Sequence, residues 1–324
     1  MIKFIIDLWR SNIIIAATKL DVFDYLAIRP MTAEELAEQT DTHAASLYRL
    51  LRALASLNYV EKIEKKRFQL TPKGQLLRND VPYCVKHCIL GCAADTYEIW
   101  EKLPKAVKTG KMVDDSLFGQ DHYGHMKNHE EELENFAKAN AELTLALCPI
   151  ITEIYDFSRF KHIVDVAGGN GAFLSLILAK AQNAKGTLFE VGPMIELAKR
   201  NLAKTSVKDR CFFEKGNFLE SVPAGGDCYI IKNALANHDD EALKVLENVR
   251  KQMKSGTIFL LCQAILPEIN KPHIAWQTDL LFFMVVNGVE RTEEDWLQLI
   301  SKAGLKLNKI TRIGYFYDIM EILL

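Results

Sequence analysis

The chain has 324 residues, of which 49% are hydrophobic and 25% are charged, and its formal net charge is −2. This composition is that of an ordinary globular protein, and the length predicts more than one domain. The near-neutral charge offers no attraction for a nucleic-acid partner. Because no apolar run has the length of a membrane span and no secretory signal pattern is present, we expect a cytoplasmic protein without a membrane partner.

The cysteines and histidines lack the spacing of a metal site. Three of the seven cysteines, from Cys84 to Cys92, recur at every fourth residue, which predicts a buried helix stripe rather than C-x₂-C ligand pairs. His122, His125 and His129 form a His-x₂-His-x₃-His series, but they lie in a charged stretch without acids at ligand spacing. We therefore expect no bound metal.

The first 95 residues predict a winged helix. An apolar helical segment from Ile2 to Leu26 carries enough apolar residues to indicate a dimer interface. Thr32 and Glu35 have the spacing of a capping box, and a second helix is predicted from Ala44 to Leu57. Two strand-forming segments between residues 59 and 70 predict a hairpin.

DNA binding is the usual alternative for a winged helix. The helix from Ala44 to Leu57 offers only Arg49 and Arg52, and four acidic residues lie between positions 34 and 41. Since phosphate neutralisation supplies most DNA affinity, the charges argue against a DNA-binding or regulatory dimer.

The stretch from Ile163 to Gly171 reads I-V-D-V-A-G-G-N-G and is followed at once by a helical pattern. It predicts a strand, a tight turn and a helix, with small residues that let a ligand approach the backbone. The spacing D-x-A-x-G-x-G differs from the dinucleotide fingerprint, and no phosphate-binding Gly-Lys-Ser/Thr follows. Such a turn lies at the carboxyl end of the first strand of a parallel sheet, where nucleotides bind.

Three later strands end in residues suited to the same site. Glu190 follows the second strand, at the distance where an acid can bind ribose hydroxyls. Asn217 and Phe218 follow the third strand, where an amide and an aromatic ring can hold the edge and face of adenine. Lys232 ends the fourth strand. The four strand ends together indicate a nucleoside-sized ligand.

The rest of the chain alternates helix and strand. One long helix is predicted from Glu130 to Tyr155, and shorter ones from Asp239 to Met253 and from Thr292 to Ala303. Three more strands, at 257–263, 307–310 and 317–323, complete a doubly wound α/β sheet of seven strands.

With these motifs assembled, the chain resembles the plant-type, acetylserotonin-like small-molecule O-methyltransferases over nearly its whole length. The motifs that carry the resemblance are Tyr155-Asp156-Phe157-Ser158, Val164 to Gly171, Gly216-Asn217-Phe218, Lys232-Asn233, Ile265-Leu266-Pro267 and Glu290-Arg291-Thr292-Glu293-Glu294. The resemblance implies a Rossmann-like domain that binds S-adenosylmethionine, a winged-helix dimerisation domain, an obligate homodimer and a small, usually aromatic substrate. The expected division is a dimerisation domain at 1–95, a helical connector that roofs the pocket at 96–144 and the methyltransferase domain at 145–324.

The resemblance also implies residue roles by position. Those expected to bind S-adenosylmethionine are Asp165, Gly168, Gly169, Glu190, Asn217, Phe218 and Lys232. Those expected to line the substrate pocket are Trp100, Asn140, Ala236 and Asp279. The cofactor positions depart mildly from the family, because Ala167 replaces a glycine and Asn217 replaces an acid.

The catalytic positions depart strongly from the family. Ala236 stands where the family has its histidine base, Asn237 replaces the neighbouring acid, and Gln263 replaces the glutamate that orients the histidine. Glu290 is retained, and His238 lies two residues along as a candidate relocated base. We expect Asn237, Gln263 and Glu290 to position the nucleophile.

Two enzyme hypotheses follow from this loss of the base. The first is methyl transfer, with release of S-adenosylhomocysteine, to an acceptor that needs little help to become nucleophilic. The second is a non-methylating reaction, such as a pericyclic, dehydration, decarboxylation or hydroxylation step, in which the bound sulfonium serves as a fixed positive charge.

Overall fold

The computed structural model describes residues 2–81, 83–93, 96–113, 129–314 and 316–324. The chain forms two compact units, Met1–Tyr97 and Glu98–Leu324. Residues 98–144 of the expected connector belong to the second unit. His122 and His125 lie outside the described residues. In the described part of the chain, no helix is both long and apolar enough to span a bilayer.

The N-terminal unit consists of helices around one short hairpin. Its elements are α1 (Ile2–Lys19), α2 (Val22–Ile28), α3 (Ala33–Thr40), α4 (Ala44–Ser56), β1 (Val60–Lys62), β2 (Phe68–Leu70), α5 (Pro72–Gln75) and α6 (Lys86–Ala93). Strands β1 and β2 pair antiparallel, as the sequence predicted. The predicted capping box is confirmed, since Thr32 and Glu35 bond reciprocally at the start of α3. Cys84 is buried but precedes α6, so the predicted cysteine stripe along one helix is wrong.

Helix α1 leaves large apolar side chains uncovered in this unit. Ile2 and Phe4 are each 75% exposed and Trp9 is 62% exposed. By contrast, the core of the unit, which includes Phe23 and Phe68, is buried. A patch of this kind marks an interaction surface.

The second unit alternates helices with strands. Its helices are α7 (Thr96–Glu101, which begins in the first unit), α8 (Leu103–Thr109), α9 (Glu130–Leu147), α10 (Pro149–Ile154), α11 (Ala172–Lys180), α12 (Gly192–Leu202), α13 (Asp239–Gln252), α14 (Ala275–Val286) and α15 (Glu293–Lys302). Its strands are β3 (His162–Val166), β4 (Lys185–Glu190), β5 (Cys211–Lys215), β6 (Cys228–Lys232), β7 (Ile258–Gln263), β8 (Ile265–Leu266), β9 (Arg291–Thr292), β10 (Lys306–Arg312) and β11 (Asp318–Leu323).

The expected single helix from Glu130 to Tyr155 is wrong. It divides at Cys148 into α9 and α10, and Pro149 occupies the first turn of α10. Proline lacks the amide hydrogen that a continuous helix would use there, but it fits the first turn of a new helix.

Seven strands of the described chain form one sheet in the order β10-β11-β7-β6-β3-β4-β5. Strands β3 to β7 are parallel to one another, whereas β11 runs antiparallel to β7 and β10. This is the predicted doubly wound, Rossmann-like sheet. Strand β3 is flanked by β4 on one side and β6 on the other, so the topological switch lies beside the glycine turn that follows β3.

Candidate active site

The glycine turn after β3 follows a left-handed path. Ala167 has a φ of 57° and Gly169 a φ of 58°, and the Ala167 amide donates to the Phe189 carbonyl at 2.8 Å. A side chain in this conformation costs about 1–2 kcal/mol, which explains why glycine suits position 167 better than alanine.

Glu190 closes the turn from the end of β4. One carboxylate oxygen accepts from the Gly169 amide at 3.1 Å and the other accepts from the Val191 amide at 2.8 Å. Burial raises the pKa of Glu190, while these two hydrogen bonds oppose the increase. The carboxylate is therefore fixed at the mouth of the turn.

Asp165 is an unsatisfied acid beneath the turn. Asp165 is 1% exposed, and its Oδ2 has no hydrogen-bond partner among the described residues. A Cβ added to Gly168 would lie 2.6 Å from that oxygen. Burial raises the pKa of Asp165 to about 7, the charge of Lys232 lowers it, and the charge of Glu190 raises it. A buried orphan acceptor of this kind is a position where a cationic ligand group gains a partner.

The remaining predicted cofactor residues surround the same strand ends. Lys232 Nζ lies 5.3 Å from the centre of the Tyr317 ring. Asn217 Oδ1 accepts from the Leu219 amide at 3.0 Å, so this amide side chain is held by its own loop. Phe218 packs half-buried against the core on one face of the sheet. Tyr317 was missed by the sequence analysis because its neighbour Lys232 is distant along the chain.

A second polar group lies at the end of β7. Gln263 is 0% exposed and Glu290 is 3% exposed, and Gln263 Nε2 donates to Glu290 Oε2 at 3.0 Å. Gln263 Nε2 also approaches Asn233 Oδ1 at 3.4 Å. Because the Glu290 and Asn233 oxygens are both hydrogen-bond acceptors, the amide nitrogen of Gln263 must face them. The amide oxygen, Oε1, has no hydrogen-bond partner among the described residues. Gln263 and Glu290, two of the three residues that the sequence analysis expected to position the nucleophile, are therefore in direct contact.

Helix α14 supplies the other contacts of Glu290. Thr278 Oγ1 donates to Glu290 Oε1 at 3.1 Å, and the Glu290 amide donates to Asp279 Oδ1 at 2.8 Å. Burial raises the pKa of Glu290 to about 7; hydrogen bonds from Gln263 and Thr278 lower it, and the charge of Asp279 raises it. Thr278 was missed by the sequence analysis, although it directly precedes Asp279.

The loop between β6 and α13 is bound to the segment 288–291. Arg291 donates to the carbonyls of Leu235 at 2.8 Å and Asn237 at 2.5 Å, and to Asp239 at 2.9 Å. Between those two carbonyls, the carbonyl of Ala236 accepts from the Val289 amide at 2.7 Å. Ala236 is buried, and its carbonyl is hydrogen-bonded to Val289, the residue that precedes Glu290. Arg291 is 2% exposed, and its structural role was not predicted from the sequence.

Among the described residues, neither Asn237 nor His238 has a side-chain hydrogen bond to Gln263 or Glu290. The Asn237 amide group donates to Glu241 at 2.8 Å. His238 is exposed and caps the start of α13 without a side-chain capping bond. The structure thus brings together Gln263, Glu290 and Asp279, with Ala236 beside them.

The two expected roof residues have different surroundings. Trp100 packs half-buried in an apolar cluster with Met284 of α14, the helix that carries Asp279. Asn140 is exposed on α9 and donates to the Phe136 carbonyl one turn earlier. Helix α9 nevertheless contacts the glycine turn, because Asn170 Nδ2 donates to the Ala137 carbonyl at 2.8 Å.

The sequence matches two domains of one known family. Residues 100–306 match the O-methyltransferase domain, and residues 2–80 match the O-methyltransferase dimerisation domain. The chain belongs to the O-methyltransferase family. As a member, it is a methyltransferase-family enzyme whose dimerisation domain supports assembly as a homodimer.

Individual relatives agree with this assignment. A phenazine O-methyltransferase, PhzM of Lysobacter antibioticus, is 30% identical over 322 residues, which are 99% of this chain and 94% of the relative. The crystal structure of LaPhzM has a TM-score of 0.93 at 30% identity and covers 99% of this chain and 97% of its own. CalO1, a methyltransferase of calicheamicin biosynthesis solved in its S-adenosylhomocysteine-bound form, has a TM-score of 0.82 at 26% identity, with 99% and 96% coverage.

For this member of the O-methyltransferase family, the comparisons support S-adenosylmethionine as the cofactor. The glycine turn with Asp165 and Glu190 forms one end of the candidate site. Gln263, Glu290 and Asp279 form the other. Strand β6 lies between the two strands that carry these ends, β3 and β7.

Proposed function

We propose that this protein transfers a methyl group from S-adenosylmethionine to a small, aromatic or polyketide-like metabolite without the family's histidine base. The observation that carries the proposal is the buried Gln263–Glu290 pair next to Ala236. The side chain of Ala236 has no group that can accept a proton, and the amide of Gln263 adds no basic group. The acceptor is therefore positioned rather than activated by an imidazole.

The glycine turn fits the cofactor. S-adenosylmethionine supplies an electrophilic methyl group on a sulfonium and also carries an ammonium, a ribose and an adenine. Asp165 Oδ2 is a buried acceptor without a partner among the described residues and suits the ammonium, and Glu190 offers a carboxylate at the turn suited to ribose hydroxyls. Asn217 and Phe218 would hold the adenine, and Gly168 and Gly169 would give the backbone room. The positive charge of Lys232 would lower the pKa of Asp165 and so favour its ionised form.

The acceptor end is expected to bind and orient the nucleophile. Methyl transfer is a displacement that depends mostly on proximity and alignment, so a base is not obligatory. A phenol with a pKa of about 10 is mostly protonated at neutral pH, and a base typically contributes about 10²–10⁴ in rate. Asn237, Gln263 and Glu290 would orient an acceptor, with Trp100, Asn140 and Asp279 in the surrounding pocket.

His238 remains the alternative base within this proposal. It is exposed and lies two residues beyond Ala236. If it were the base, His238→Gln would lower methyl transfer about 100-fold or more. We expect the variant to retain its activity, because the Gln263–Glu290 pair does not involve this side chain.

A second candidate function is favoured by the neutral residues at 236, 237 and 263. With its methyl group retained, the bound sulfonium would act as a fixed positive charge in a non-methylating reaction. We further propose that either reaction takes place in a cytoplasmic homodimer assembled through the N-terminal unit.

Calorimetric titration with S-adenosylmethionine and with S-adenosylhomocysteine tests this proposal, together with mass spectrometry of small molecules that co-purify. Binding of both, with the demethylated form predominant in the purified protein, supports methyl transfer. Retention of intact S-adenosylmethionine supports the non-methylating alternative. Failure to bind either ligand would reject both.

A further inference from the structure

We propose that the acceptor atom is the nitrogen of a neutral aromatic amine, held by two N–H donations to Gln263 Oε1 and the Glu290 carboxylate. This inference rests on the methyltransferase function proposed above and names its acceptor class. It follows from the hydrogen-bonding capacity of the polar cluster at the end of β7.

The cluster presents acceptors rather than donors to a bound molecule. Gln263 Oε1 is buried and has no hydrogen-bond partner among the described residues, whereas the amide nitrogen of the same side chain donates to Glu290 and Asn233. A buried carbonyl without a donor is costly, and a ligand N–H or O–H would relieve that cost. The carboxylates of Glu290 and Asp279 add further acceptors at the same place.

An anionic acceptor fits this surface poorly. Arg291, whose charge acts on Glu290, already donates to Leu235, Asn237 and Asp239. In the part of the chain that the structure describes, no lysine or arginine hydrogen-bonds to Gln263 or Asp279. A carboxylate or phenolate would therefore face the like charge of Glu290 and Asp279 without a lysine or arginine partner among the described residues.

An aromatic amine matches the cluster in both charge and number of donors. It has two N–H groups for two acceptors, and its nitrogen lone pair stays free to attack. An alkyl amine has a pKa near 10 and is protonated at neutral pH, so it has no free lone pair. An aromatic amine is unprotonated at that pH, because its lone pair is shared with the ring. A neutral phenol offers only one donor and must lose its proton to become a good nucleophile.

The reaction balances without the missing histidine. The nitrogen lone pair forms the new bond to the methyl carbon, and the carbon–sulfur bond breaks with its electron pair left on sulfur. The methylated nitrogen then carries an extra proton, which passes to the Glu290 carboxylate. Burial raises the pKa of Glu290 to about 7, so it can hold this proton near neutral pH and release it afterwards.

The test uses the full chain saturated with S-adenosylhomocysteine, whose binding is measured first. Aromatic compounds with one ring, two fused rings or three fused rings are then titrated by calorimetry. Each ring system is tested with an amine, a hydroxyl or a carboxylate substituent. We expect the amine to bind at least tenfold more tightly than the other two on the best-fitting ring. With S-adenosylmethionine, that amine should give an N-methylated product by mass spectrometry.

Two variants identify the groups involved. Gln263→Met removes the orphan carbonyl and should weaken amine binding about tenfold, while the exposed Gln182→Met should have no effect. Glu290→Gln adds a donor and removes a charge, and it should shift the preference towards the carboxylate. Retained S-adenosylhomocysteine binding reports that each variant is folded.

The inference fails if a phenol or carboxylate binds as well as the matching amine, if no amine binds, or if Gln263→Met binds the amine normally. In each case intact S-adenosylhomocysteine binding leaves the proposed function standing. Loss of that binding in the wild-type protein would instead remove the proposed function itself.

Discussion

At the scale of single residues, Asp165 and Glu290 are two buried acids whose pKa values burial raises to about 7. Each folded-state pKa lies above its unfolded value, so the folded protein binds more protons than the unfolded chain between about pH 4 and pH 7. The stability that the two protonated acids contribute is fully present below their unfolded pKa values of about 4. It is lost as the pH rises from there through the folded-state pKa of about 7. Ionising these two buried acids therefore lowers the stability of the ligand-free protein.

We predict that the ligand-free protein loses about 5 kcal/mol of unfolding free energy between pH 5 and pH 8 from these two acids. Urea denaturation at four pH values measures this loss. Asp165→Asn and Glu290→Gln should each flatten the profile, and Asp165→Asn should also weaken S-adenosylmethionine binding. Parallel profiles for the wild type and both variants would contradict the prediction.

A second prediction concerns the lost base. Ala236→His combined with Gln263→Glu restores the two family residues, and the double variant should methylate a naphthol at least about 100-fold faster than the wild type. Product formation by mass spectrometry measures the gain. Ala236→His alone is the control, because without the glutamate the new imidazole is not oriented. No gain in a double variant that still binds S-adenosylmethionine would show that base loss does not limit this pocket.

At the scale of elements, the segment 288–291 holds the 235–239 loop through consecutive carbonyls. We predict that Arg291→Lys lowers the unfolding free energy by about 3 kcal/mol, since a lysine cannot reproduce the fork and leaves buried carbonyls unpaired. Arg312 is half-exposed and pairs with Glu293 and Asp318. Arg312→Lys is therefore the matched control, with an expected loss of at most about 1 kcal/mol. Equal losses in the two variants, measured by denaturation, would refute the role of Arg291.

Elements governed by local rules could be predicted from the sequence. The capping box at Thr32 is confirmed, and the seven sheet strands lie where their apolar runs indicated. The break at Pro149 was missed because apolar spacing continues across it. The contacts of Arg291 and Thr278 were missed for another reason. They join residues that are distant along the chain, and no local pattern encodes such pairings.

The sequence could predict which residues belong to the candidate site, but not the directions of their side chains. The motifs pointed to Gln263, Glu290 and Asp279, which the structure brings together. They did not indicate that Asn237 would donate to Glu241 instead of this group. Side-chain direction depends on the path of the 235–239 loop, and that path is set by contacts with a segment more than 50 residues later.

At the scale of the whole molecule, the uncovered face of α1 agrees with the dimerisation-domain match at residues 2–80. We predict that Phe4→Glu with Trp9→Glu gives a folded monomer, because charged side chains cannot be buried in an apolar interface without partners. Light scattering after size-exclusion chromatography measures the mass. Lys3→Glu, on the same helix but at a charged position, should remain dimeric. A double variant that stays dimeric would place the interface elsewhere.

The order of the strands in the sheet also governs how the protein is made. Strand β11 lies between β10 and β7, although it follows both in the chain. A nascent chain must therefore leave one edge of β7 open until residues 318–323 have emerged from the ribosome. At about 5–20 residues per second, the intervening stretch takes several seconds to translate. During that time the apolar β7 edge is available to strands of other nascent chains, and the arrival of β11 ends this exposure.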